Sequence, residues 1–98
     1  MGQAGETAVR RVADIGPKVP IIVAGRARIP DGLNLGTRVL SEVKNVRSLS
    51  YTGQLRDFAA HASANGLRFD RLVRPTTQLS GRLAQEVASG AINLRYIP

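Results

Sequence analysis

Cysteine and tryptophan are absent from these 98 residues, histidine occurs once, and two Tyr and two Phe are the only aromatics. Without cysteine there is no disulfide framework, no zinc-thiolate site and no thiol nucleophile, although the compartment stays open. One histidine, His61, cannot form a histidine-pair ribonuclease site. Four aromatics are too few for a base-stacking surface of the kind that binds single strands, so Tyr51 and Tyr96 read as core or rim. No apolar run approaches the roughly 20 residues of a membrane span. Ile21 to Ala24 is only strand-sized, and Met1 to Glu6 lacks the basic-then-apolar layout of a secretory signal.

Arginine and apolar residues are abundant. Fourteen Lys and Arg against seven Asp and Glu give a net charge of +7, and apolar residues make up 43% of the chain. The length suits one small domain over residues 1–98 with one modest core. The charge points to a polyanionic partner, with solubility and helix capping as the plainer use of so much arginine.

Periodicity predicts a first helix from Glu6 to Ile15, ended by Gly16-Pro17, and a short strand at Val19 to Ala24. Arg26 to Leu35 and Arg38 to Val46 read as two arms of a hairpin. Ser50 caps a second helix to about Asn65, with Tyr51, Leu55, Phe58, Ala59 and Ala62 as its buried stripe and Asn65-Gly66 closing it. Leu67 to Arg74 reads as a strand ended by Pro75. Ser80 caps a third helix to Ser89, and Ile92 to Ile97 alternates as a last strand. A helix between the last two strands favours a right-handed parallel crossover, so the expected class is α/β (α+β), a mixed sheet flanked by helices.

The hairpin makes a geometric statement. A two-residue turn at Gly36-Thr37 pairs Leu35 with Arg38, and counting outward sets Leu33 against Leu40, Gly32 against Ser41 and Asp31 against Glu42. Opposed side chains have Cβ atoms roughly 4.5 to 5.5 Å apart, so two acids there repel unless a cation lies between them. Lys44, two residues past Glu42, projects to the same face. Two carboxylates suit a hard cation such as Mg²⁺, with Mn²⁺ as the alternative and the Val43 carbonyl as a further ligand. A metal there would polarise a phosphoryl oxygen and acidify water, while Lys44 orients that water or stabilises the transition state. The plainer reading is a solvated hairpin with an Asp-Gly turn, which would shift the register.

Pro30-Asp31 followed by Glu42-Val43-Lys44 resembles the signature of the PD-(D/E)xK phosphodiesterase superfamily, whose restriction-endonuclease-like core has the order αβββαβ inferred here. The stretch EVKNVRSLSYTGQLRDF from Glu42 to Phe58, with the later FDRLVRPTTQLS and INLRYIP, looks like a restriction-endonuclease-fold toxin domain of bacterial polymorphic and contact-dependent inhibition toxins. The likeness covers roughly Arg28 to the end and is faint at the N-terminus. It implies that Asp31 and Glu42 ligate metal and that Lys44 is the catalytic lysine. It also brings in Glu6, as an acid on the first helix, and Gln54 on the helix after the motif strand. Glu6 serves equally well as a first-turn glutamate favoured by the helix dipole, and Gln54 as an amphipathic boundary residue.

Arg56, Arg68, Arg71, Arg74 and Arg82 are candidates for a phosphate track, each with a solvated surface role as the alternative. His61 reads as a surface or capping residue, and Ser48, Ser50 and Ser80 as caps. Three classes of function follow. The first is a Mg²⁺-dependent DNA nuclease toxin, the second the same chemistry on tRNA or other RNA, and the third a non-catalytic basic nucleic-acid-binding module. By the resemblance, the toxin would be the C-terminal part of a larger carrier and act in the target-cell cytoplasm. It would be neutralised by a cognate immunity protein, and a +7 surface around an acidic site favours an acidic one.

Overall fold

The structure, a computed structural model, describes residues 7–9 and 14–97. Their order is β1 (Ile21–Val23), β2 (Arg26–Arg28), β3 (Gly32–Asn34), β4 (Val39–Lys44), β5 (Ser48–Leu49), α1 (Gly53–Ala64), β6 (Arg68–Val73), β7 (Gln78–Leu79), α2 (Gly81–Ala88) and β8 (Asn93–Tyr96). Residues 7–9 are helical, but Asp14 and Ile15 are not, so the first helix stops short of the expected Ile15. The Asp14 carboxylate accepts the Gly16 amide at 3.1 Å, a local turn that competes with helix. Gly16 then takes φ +84°, and a Cβ there would lie 2.3 Å from the Leu33 carbonyl oxygen. Only glycine lets the two segments approach so closely.

Arg26 to Leu35, expected as one hairpin arm, is two separate strands. Ala24 and Gly25 both have positive φ, 51° and 79°, as a type I′ turn requires, so β2 folds back on β1 with Val23 opposite Arg26. Pro30 separates β2 from β3, since it has no amide to donate to a ladder. This hairpin is locked to α1 by Asp57. That carboxylate, 3% exposed, accepts from Arg26 Nε and Nη2 at 3.0 and 2.8 Å and from Arg28 Nε at 3.0 Å. The Arg26 hydrogen bond, with further help from Arg28, holds Asp57 well below the usual carboxylate range against the opposing effect of burial.

The β3–β4 register is the expected one, with Gly32, Leu33 and Asn34 opposite Ser41, Leu40 and Val39. The turn differs. It spans the four residues 35–38, the Asn34 side-chain oxygen accepts the Thr37 amide at 3.1 Å, and Arg38 rather than Gly36 is left-handed, at φ 60°. Both turns enclose the same residues symmetrically, so the facing pairs are unchanged.

The main sheet has the order β3-β4-β6-β8. β3 is antiparallel to β4, whereas β4, β6 and β8 run parallel. Two crossovers of one hand that step in the same direction place α1 and α2 on one face. There Leu40, Leu55, Phe58, Phe69, Leu83 and Ile92 form the larger core, with Phe58 and Phe69 edge to face at 6.1 Å. The opposite face carries Val9, Ile15, Val43, Leu72 and Ile97. Thr52, not the expected Ser50, caps α1 by accepting the Leu55 amide, and Ser80 caps α2 through Leu83. A small parallel sheet of β5 and β7, absent from the sequence expectations, lies beyond the ends of β4 and β6.

Candidate active site

β4 lies between β3 and β6, so side chains on its α1-facing surface are hemmed in on both sides. Leu40, Glu42 and Lys44 alternate onto that surface. Leu40 belongs to the core, Glu42 is only 4% exposed, and Lys44 ends the strand half-buried. Asp31 sits one residue past the last β3–β4 pair. Its Oδ2 accepts the Val43 amide at 2.8 Å, and Lys18 Nζ lies 3.5 Å from its Oδ1.

Asp31 and Glu42 bring two carboxyl groups to one spot, beside a buried strand residue. Burial, and then the hydrogen bond and charge of Asp31, push Glu42 up to about 8, while Arg71 and Lys44 pull it the other way. The fold therefore disfavours a second negative charge beside Asp31.

Arg71 stands directly across the parallel ladder from Glu42, 4% exposed, with Nη1 3.6 Å from Glu42 Oε2. Its Nε is buried without a hydrogen-bond partner among the described residues. Burial lowers its pKa, and both carboxyls oppose that effect; a guanidinium stays charged under these conditions. Three cations, Lys18, Lys44 and Arg71, thus surround two carboxyls.

The other sequence-derived candidates are dispersed. Gln54 is in the first turn of α1, half-buried. Arg56 is exposed on the same helix. Arg68 is bound to Asp70 at 2.7 and 2.9 Å, on the opposite face of the sheet from Glu42. There Asn93 and Arg95 complete the shell of a fully buried carboxylate. Burial pushes that carboxyl up, and the hydrogen bonds from Arg68, Asn93 and Arg95 outweigh it. Arg71 is buried beside Glu42 rather than on an exposed track. Arg74 donates through Nε to Asn45 at 3.0 Å. Arg82 pairs with Glu86 on α2 and lies 5.0 Å over the Tyr51 ring. Glu6 falls outside the described residues.

No group of three or more His, Cys, Asp or Glu converges among the described residues. Mg²⁺ does not need one, since it is commonly held by one or two carboxylates and keeps several waters. A buried carboxyl at Glu42 with a half-buried one at Asp31 fits such an ion, the two acids being the donors and a cation relieving the charge that burial disfavours.

The model of the restriction endonuclease fold toxin 7 family matches residues 2–83, more than four-fifths of the chain. The chain belongs to this family. The mixed sheet with helices packed on it is thereby a restriction-endonuclease-like fold, and the family is one of toxins built on a nuclease scaffold. No curated protein and no solved structure matches the chain. The match takes in Asp31, Glu42, Lys44, Gln54 and Arg71, so every described residue of the candidate site lies within the family's extent.

Proposed function

We propose that the chain is a metal-dependent nuclease toxin that hydrolyses phosphodiester bonds of DNA in a target bacterial cell. The observation that carries this reading is the β3–β4 register that sets Asp31 beside the Glu42–Lys44 segment, with its carboxylate on the Val43 amide, in a fold that the family shares with restriction endonucleases. Mg²⁺ or Mn²⁺ held by the two carboxylates, with the Val43 carbonyl as a further ligand, would polarise a phosphoryl oxygen and acidify a water.

The chain's own groups do the rest. The Val43 amide fixes Asp31 against Glu42. Arg71 presses a fixed positive charge on Glu42 where solvent does not screen it. Lys44 meets the charge that builds on the phosphoryl oxygens, or orients the attacking water. With Lys18 these cations draw the anionic backbone toward the carboxyl pair. Arg56 contributes to backbone binding, and Gln54 and Glu6 are the remaining candidates for the site.

The site works in the target-cell cytoplasm and is blocked by an immunity protein whose acidic surface covers it. Digestion of single-stranded DNA, plasmid DNA, tRNA and total RNA side by side tests the reading. Cleavage of DNA in Mg²⁺ should vanish in EDTA and fall by about 10² to 10³ in Lys44→Ala without a change in melting temperature. Full activity in Lys44→Ala, or cleavage indifferent to EDTA, would overturn it, and cleavage of RNA alone would reassign the substrate.

A further inference from the structure

The parallel strands β4 and β6 end on a cleft of about 490 Å³ lined by Asn45, Val46, Arg47, Ser48, Arg74 and Thr76. Asn45, one of the lining residues, directly follows Lys44 in the chain. Crevices at the carboxyl ends of parallel strands are the usual ligand sites of such sheets.

The walls are braced. Asn45 accepts from Arg74 Nε at 3.0 Å, Thr77 Oγ1 donates to the Val46 carbonyl at 2.8 Å, and the Gln78 amide donates to the Arg47 carbonyl at 2.8 Å. These bonds tie the loop after β4 to the loop after β6, so the cleft exists before any ligand arrives. Two arginines and no acid line it. Val46 offers an apolar surface, and Asn45, Ser48 and Thr76 offer hydrogen-bonding groups.

An anion joined to a flat, polar-edged ring suits such a lining. Arg47, exposed at the rim, takes the phosphate and can stack its guanidinium plane on the ring, Arg74 adds positive charge from the wall, and the side-chain hydroxyls and amide meet the ring's edges. A volume of this order holds a small ligand, which means one nucleotide and not a duplex. We propose that this cleft holds a single unpaired nucleotide adjoining the phosphodiester at Asp31, Glu42 and Lys44. The inference rests on the nuclease reading for the class of ligand. It narrows the substrate to strands whose bases are free of a partner next to the cut, whether in single-stranded DNA or in an RNA loop. A paired nucleotide has its edge already engaged and brings a second strand that the braced walls exclude.

Binding without hydrolysis tests this separately from catalysis. Fluorescence anisotropy of the full chain in EDTA would compare a short labelled single-stranded DNA, the matching single-stranded RNA, and the same DNA as a blunt duplex. Tighter binding of either single strand than of the duplex is expected. Arg47→Ala, at an exposed position, should weaken single-strand binding by about tenfold, the effect of one charged hydrogen bond. Ser48→Leu, which fills the cleft without removing charge, should also weaken it while leaving duplex binding within about twofold. Equal affinity for duplex and single strands, or variants that shift all three ligands alike or none, would overturn the proposal. Since EDTA stops only metal-dependent cleavage, a cleaving enzyme with an indifferent cleft and a binding cleft without cleavage are distinct results.

Discussion

Replacing Glu42 with glutamine should stabilise this protein while abolishing its activity, and the gain should depend on pH. In the fold the Glu42 carboxyl is pushed from 4.5 to about 8. In the unfolded chain it ionises near its ordinary value, so between those limits the unfolded state binds fewer protons than the folded one. Stability therefore falls as pH rises through the window, by about 1.4 kcal/mol per unit. At pH 7 the accumulated cost is about 3 kcal/mol, and below pH 4 it is nil. Glutamine mimics the protonated acid in shape, and its amide can still donate to Asp31, but it cannot ionise. Arg71 keeps Asp31 as a compensating charge. At roughly 4 to 8 °C per kcal/mol for a domain of this size, Glu42→Gln should melt 10 °C or more above the parent at pH 7 in EDTA. The two proteins should converge near pH 4. Thermal melts followed by circular dichroism over pH 4 to 8 read this directly. A variant less stable than the parent at pH 7, or an offset that does not change with pH, would refute the reasoning. Either result would mean that Arg71 needs Glu42 ionised more than the fold suffers from that charge.

Three further outcomes follow from the packing. Asp57 is held below the ordinary carboxylate range by Arg26 and Arg28, so its contribution is present above about pH 4 and is lost as pH falls toward 2. Asp57→Asn should flatten the acid limb of the stability curve in that window, as read by denaturant melts at each pH. Phe58→Ala removes a fully buried ring packed on Phe69 and should cost about 3 to 5 kcal/mol in urea unfolding. Gly16→Ala would drive a Cβ into the Leu33 carbonyl at a positive φ. It should destabilise by at least about 1 kcal/mol and loosen the strand that leads from Asp31, seen as faster amide exchange at Leu33.

The alternation of Leu40, Glu42 and Lys44 and the symmetry of the turn were enough to set Gly32 against Ser41 from the sequence, with Asp31 the next residue out, even though the turn is longer than expected. Register survives such an error because facing pairs depend only on the turn's centre. The helices were legible for a similar reason, since capping and apolar spacing are local. Thr52 displaced Ser50 as the cap because both are good capping residues two positions apart. Other features were hidden for physical reasons. Ala24-Gly25 is not among the usual turn dipeptides, so the β1–β2 hairpin gave no signal, and with it went the partners that bury Asp57. β5 and β7 are two residues each, too short for any periodicity. Arg71 reads as one more cation in a basic chain. Only the parallel register of β4 and β6 reveals that it faces Glu42, and Lys18 has no motif to mark it.

The central claim is that Asp31 and Glu42 share one divalent cation, and a binding isotherm addresses it without substrate. Titration of Mn²⁺ at pH 8 by calorimetry should show one site in the parent chain and none in Asp31→Asn or Glu42→Gln, both still folded. Undiminished Mn²⁺ binding in either variant, or no binding in the parent, would contradict the account.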